Sequence, residues 1–227
     1  MTIHASELLA RALKRQGVDT MFYLMGGPMF TAERACVAEG IRAIDVRHEQ
    51  AAAMMAHAYA RVLNRVGVCM AASGPGALNF GTGLATSFVD CTPVVAIAGS
   101  SSLREWGMGA FQELDQIAAM RPLIKSAERV YEARRIPELV NKAFKTAVSG
   151  KRGPVYLDVP GDILHHQVEE SSVVWPEYER GTQLGHAVGD PAMVERTITL
   201  LAAAKQPLLL WRRDRFVQRQ GCSEDRD

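Results

Sequence analysis

Several absences narrow what this 227-residue sequence can do. It has no excess of one charge. A net charge of +1 supplies no basic face for nucleic acid, whose phosphates demand many lysines and arginines. It has no apolar run near the roughly 18–20 residues that cross a bilayer, so no membrane span is expected. The opening text MTIHASELLARALKRQ breaks its apolar residues with charges and offers no h-region or cleavage site, so it does not read as a signal peptide. The four cysteines, Cys36, Cys69, Cys91 and Cys222, form no CxxC pair, and six histidines make no metal-ligand cluster. Cys69 and Cys91 lie in or beside apolar segments, as buried reduced thiols do, and a cytoplasmic location follows as the expectation. What is there, 48% hydrophobic and 22% charged residues, suits a globular chain with one good core and part of a second.

Helical and strand-like patterns alternate along the chain. Leu8, Leu9, Ala12 and Leu13 recur on one helical face after Ser6, a candidate N-cap, and Gly17 ends that helix. A strand is expected over Thr20–Met25 before the Gly26-Gly27-Pro28 turn, then a helix over Thr31–Glu39 and a strand over Ile41–Val46. His48–Leu63 is rich in alanine and methionine and free of glycine and proline, which predicts a helix. Its small side chains imply close packing. Apolar strands are expected over Val66–Ala72, Pro93–Ala98 and Val155–Val159, with a modest one over Lys125–Ala127. Helices are expected over Ala77–Phe88, Leu114–Met120 and the amphipathic Ile136–Val148. Strands apolar on both faces and separated by helices belong to a mainly parallel sheet covered on both sides. The fold class is therefore α/β, a three-layer domain over residues 1–160. Residues 161–190 read as a linker, 191–211 as the opening helix and strand (Leu208–Trp211) of an incomplete second α/β domain, and 212–227 as an irregular tail.

Three places could carry chemistry. Glu49 follows a strand and opens a helix. The helix dipole alone favours an acid there, but burial would favour its protonated form and make it a proton donor. The run Ser73-Gly74-Pro75-Gly76-Ala77-Leu78-Asn79 sits between strand and helix. It is either a tight turn or a place where backbone closely approaches a ligand. It lacks the closing Gly-Lys-Ser/Thr of a phosphate-binding P-loop and the GxGxxG spacing of dinucleotide sites. On the loop Gly109–Leu114, Phe111 either anchors the loop into the core or walls a pocket, and Gln112 offers a neutral hydrogen-bonding group.

These pieces, RHEQAAAMMAHAYAR, VGVCMAASGPGALNFGTGLATSFVDCTPVVAIAG, GAFQELD and IPELVNKAFKTAVSGKRGPVYLDVPGD, in this order resemble the N-terminal, pyrimidine-binding domain of thiamine-diphosphate enzymes of the acetolactate-synthase and 2-hydroxyacyl-CoA-lyase kind. The resemblance spans Ser6 to Asp162. It implies that Glu49 hydrogen-bonds nitrogen N1′ of the cofactor's aminopyrimidine, general acid–base work relayed through the ring to thiazolium C2. It also implies that Gly26, Pro28, Ser73, Gly74, Pro75 and Asn79 surround the ring. Phe111 and Gln112 would then line the approach to the reactive carbon. The diphosphate and Mg2+ belong, in that family, to another domain of a partner subunit, and their site is expected to be absent from this chain. Homodimers or homotetramers are the family's assemblies.

The sequence departs from the family in three respects. Met25-Gly26-Gly27-Pro28-Met29 replaces a Gly-x-Pro-Gly turn, Trp211 is followed by Arg212-Arg213-Asp214 rather than a glycine-rich strand exit, and no Gly-Asp-Gly occurs. The expectation is a truncated, frame-shifted or excerpted chain that is inactive alone, the N-terminal part of a carbon–carbon lyase, synthase or 2-oxo-acid decarboxylase. One chain of a split enzyme with a separate diphosphate-domain subunit is an alternative. An oligomerisation or regulatory module that keeps the fold without cofactor is another. A nicotinamide-type oxidoreductase is disfavoured, because the glycine fingerprint and its ribose-binding acid are missing.

Overall fold

The computed structural model describes residues 1–177 and 189–208. A short strand β1 (Thr2–His4) leads into helix α1 (Ala5–Arg15). Ser6 is not the cap: extended backbone runs through His4, whose N–H donates to the Glu7 carboxylate at 3.2 Å, and Ser6 is buried inside the first turn. Gly17, with φ +81°, turns the chain out of the helix as expected. Strand β2 (Thr20–Tyr23), helix α2 (Phe30–Ala38), strand β3 (Arg42–Asp45), helix α3 (Glu49–Leu63) and strand β4 (Gly67–Ala71) follow.

The helix expected over Ala77–Phe88 is two helices, α4 (Pro75–Leu78) and α5 (Gly81–Val89). Pro75 starts the first two residues earlier than its apolar pattern suggested, and Gly81 weakens the ladder between them. Strand β5 (Val94–Ser100), helix α6 (Gln116–Met120), strand β6 (Ser126–Arg129), helix α7 (Ile136–Val148) and strand β7 (Val155–Pro160) complete the domain. Residues 161–172, within the stretch read as a linker, carry helix α8 (Gly161–Leu164) and strand β8 (Gln167–Glu169), and β8 pairs antiparallel with β1. Helix α9 (Pro191–Ala203) has no buried residue and is capped by Asp190. Of the strand expected over Leu208–Trp211, residues 209–211 lie outside the described residues, as does the segment 212–227.

Six strands form one sheet in the order β3-β2-β4-β5-β7-β6, every neighbouring pair parallel. The strands alternate between two cores. Val68, Met70, Val95, Ile97 and Leu157 face α1, α2 and α7, while Cys69, Ala71, Ala96, Ala98 and Tyr156 face α3, α5 and α6. Burying each of Leu8, Leu9 and Leu13 stabilises α1 against the sheet by about 2 kcal/mol. Among small residues α3 packs closer still: a methyl group added at Gly67 would lie 2.1 Å from the Ala56 carbonyl oxygen, and one at Gly83 2.6 Å from Ala53 Cβ. The strand order reverses between β2 and β4. A crevice therefore opens at their carboxyl ends, where the turns after Leu24 and after Ala72 leave the sheet. Among the described residues, no helix is long and apolar enough to cross a membrane.

Candidate pyrimidine-binding site

Glu49 is the first residue of α3, directly after the short link that leaves β3 at the sheet's carboxyl edge. His48 caps this helix, its Nδ1 accepting from the Gln50 N–H at 3.2 Å. The Glu49 side chain is turned inward, the residue being only 8% exposed. Its Oε2 accepts from Asn79 Nδ2 at 2.8 Å. Its Oε1 lies over the backbone of Gly76, where an added methyl group would come within 3.1 Å of it, and has no protein hydrogen bond among the described residues.

The Ser73–Gly76 turn is the floor of this arrangement. Gly74 has φ +56° and ψ −116°, a region open essentially to glycine alone, and a side chain there would strike the Gln112 carbonyl oxygen at 2.5 Å. The Ser73 N–H donates to the Gly27 oxygen at 3.4 Å, and a methyl group at Gly26 would meet Ala72 Cβ at 2.5 Å. The turn after β2 and the turn after β4 therefore touch, both glycine-lined. Pro28, joined to Gly27 by a cis peptide bond, points elsewhere, its ring against Gly99 and Gly161 at the ends of β5 and β7.

The loop between β5 and α6 closes over the turn. Glu113 gathers it: its carboxylate accepts from the Gly107 N–H at 2.8 Å and the Ala110 N–H at 3.0 Å, and these backbone bonds hold its carboxyl below the usual range. The loop thus folds on itself, and Phe111 is not its anchor to the core. The ring is 87% exposed, on the same loop as the exposed Met108 and Leu114. Gln112 adopts φ +58°, unusual for a residue with a side chain, and its Oε1 accepts from Ser73 Oγ at 2.7 Å. The structure therefore brings together Gly26, Glu49, Ser73, Gly74, Asn79 and Gln112. Pro75 stands exposed at the start of α4, and Pro28 and Phe111 lie at the margins.

Four residues that carry this geometry had no candidate role in the sequence: Gln116, Arg129, Tyr156 and Asp158. Gln116 is fully buried and its Oε1 accepts from the Gly74 N–H. Asp158 is fully buried in β7 and pairs with Arg129. The guanidinium of Arg129 in turn stacks on Trp106, 4.1 Å from the ring centre. Burial pushes the Asp158 carboxyl up, with Arg129, Ser100 and Tyr156 pulling the other way. An acid in the otherwise apolar strand Val155–Val159 was the available signal.

A sheet of this order with a carboxylate and two glycine turns at its switch point defines a class. Residues 3–119 match the family model "Thiamine pyrophosphate enzyme, N-terminal TPP binding domain", and the chain belongs to that family. Among curated relatives it is 38% identical over 205 residues to "Acetolactate synthase" of Arthrospira platensis, covering 88% of this chain and 35% of that protein. It is 37% identical over 209 residues to "Acetolactate synthase isozyme 3 large subunit" of Escherichia coli (strain K12), covering 91% and 36%. It is 35% identical over 213 residues to "2-hydroxyacyl-CoA lyase" of Arabidopsis thaliana, covering 92% and 37%. The chain spans about a third of the length of these relatives.

Proposed function

We propose that this chain supplies the pyrimidine-binding half of a thiamine-diphosphate-dependent carbon–carbon lyase, synthase or 2-oxo-acid decarboxylase, with Glu49 as its catalytic residue. The observation that carries the reading is the pairing of Asn79 with Glu49 Oε2, which leaves Oε1 for a ligand. The residues fit an aminopyrimidine. A carboxyl with one oxygen tethered and one available can share a proton with a ring nitrogen. Gly76 leaves no side chain beside Glu49 Oε1, where a flat ring must approach backbone. When bound, thiamine diphosphate supplies a carbon nucleophile that attacks a carbonyl. Glu49 holds the proton at the ring nitrogen, Asn79 orients that carboxyl, and Gly26, Ser73 and Gly74 shape the pocket floor. Gln112, its oxygen occupied by Ser73, has its amide N–H groups left to donate, and Phe111 contributes shape.

Magnesium and the diphosphate are assigned to a separate domain, on a partner subunit of a homodimer or homotetramer or on a distinct chain. The family model's description as an N-terminal domain and the chain's coverage of about a third of its relatives support this division. Residues 1–160 would form the ring-binding unit, with 161–190 leading into a central domain that opens at Pro191.

The test is exchange of the cofactor's C2 proton for deuterium, followed by NMR, with the chain combined with a diphosphate-binding partner. Glu49→Gln should fold normally and slow exchange by roughly 100-fold or more, the usual scale for a positioned acid or base. An unchanged rate removes Glu49 from the mechanism. A second reading, an assembly module that binds no cofactor, draws on the exposed Met54, Met55 and Val62 of α3. It predicts that the unaltered chain also gives no exchange.

A further inference from the structure

Beside the pocket lies a buried polar cluster with no part in the function proposed above. Gln116 is fully buried at the start of α6. Its Nε2 lies 2.9 Å from the Gly99 oxygen, 2.8 Å from the Tyr156 hydroxyl and 2.6 Å from Asp158 Oδ1, its two N–H groups being shared among them. Two of these partners, a carbonyl and a carboxylate engaged by Arg129, can only accept, so the amide nitrogen must face them. The amide oxygen is thereby turned the other way, toward the N–H of Gly74. The side chain is clamped at one end by the carboxyl edge of β5 and β7, and at the other holds the peptide that begins the glycine turn.

We propose that Gln116 is a positioning residue for the pocket, fixing the Gly74 peptide and through it both contacts of Glu49. Gly74 is the residue from which α4 starts, Gly76 lies inside α4, and Asn79 ends it. Gly76 is the backbone beneath Glu49 Oε1, and Asn79 is the donor to Glu49 Oε2. Everything that touches the Glu49 carboxyl from below is therefore carried on one short element whose first peptide Gln116 holds. An ordinary satisfied core glutamine would explain the bonds to Gly99, Tyr156 and Asp158. It would not explain why the fourth goes to the one peptide from which the Glu49 contacts are suspended. The inference rests on the pocket assignment made above for its meaning in catalysis, but its geometry can be tested without any cofactor.

The experiment is NMR on the full chain, following the Gly74 backbone amide, the Asn79 side-chain amide and, as an internal control, the amides of Val95–Ile97 in β5. Gln116→Met keeps the length and removes the acceptor. The expected result is at least tenfold faster hydrogen exchange at Gly74 and a displaced Asn79 signal, with β5 protection retained. Unchanged Gly74 exchange and an unmoved Asn79 signal in the folded variant overturn the proposal.

Gln116→Glu covers the case in which the methionine variant does not fold. It preserves an acceptor for Gly74 but faces Asp158, Arg129 and Tyr156, and can donate to Asp158 only while protonated. Its Asn79 signal, followed in a Glu49→Gln background so that the adjoining carboxyl does not itself report pH, should shift as pH rises, whereas Glu49→Gln alone shows no such transition. A pH-independent Asn79 signal in the double variant also overturns the proposal. If Glu49→Gln leaves C2 exchange intact, the pocket reading falls while these spectra still decide whether Gln116 sets the turn.

Discussion

Glu33 shows what a single buried carboxyl does when nothing pairs with it. It sits on α2, 3% exposed, with no hydrogen bond to either oxygen. Burial, with Asp45 adding repulsion, pushes it up to about 7. Because the folded state holds the proton to higher pH than the unfolded chain, stability falls as pH rises from the ordinary carboxyl range toward 7, and the penalty is complete above it. Glu33→Gln removes that penalty. The variant should exceed the unaltered chain by on the order of 2 kcal/mol at pH 8 in urea unfolding and show little advantage at pH 4; a gain equal at both pH values contradicts the assignment. Glu33 drew no notice in the sequence, since an acid in a helix is usually solvated. Glu49 did, because it follows a strand and begins a helix, yet the Asn79 contact that defines it was invisible. Two residues thirty apart in sequence meet only once α4 and α5 separate.

At the scale of elements, the sequence made the layers plain and their ends approximate. Ile136–Val148 is the helix its periodicity gave, and the apolar runs around Val68, Ile97 and Leu157 are the central strands. Apolar alternation marks which residues enter a core, while ends depend on turn contacts. Thus β2 stops at Tyr23 rather than Met25, and α6 begins at Gln116 rather than Leu114, because Asp115 accepts from the Ala118 N–H. The alanine-rich α3 implied close packing, and the approach of Ala56 to Gly67 realises it. Gly67→Ala should destabilise by roughly 3 kcal/mol in urea unfolding, since the methyl meets a fixed backbone oxygen rather than a movable side chain. Val62→Ala on the exposed face of α3 should change it by less than about 0.5 kcal/mol. Equal effects would mean that α3 yields where this packing requires it to be rigid.

For the whole molecule, the pairing of β1 with β8 ties the start of the chain to residues past Pro160. Sequence patterning missed it because both strands are three residues long and mostly exposed. Arg11 adds an ion pair to Glu170 at 2.8 Å, and Arg15 stacks on Trp175, 4.0 Å from the ring centre. A chain cut after Pro160 should therefore melt at least several degrees below one cut after Glu177, measured by circular dichroism. Identical midpoints would show the pairing to be ornamental. The parallel sheet has another result. Since β2, β3, β4 and β5 all run the same way, their carboxyl edge carries Glu49, both glycine turns and the Gln112 loop, while the loops around Arg65 and Gly150 leave from the far rim. A dye, tether or surface attachment placed on that far rim would leave the Glu49 edge unobstructed.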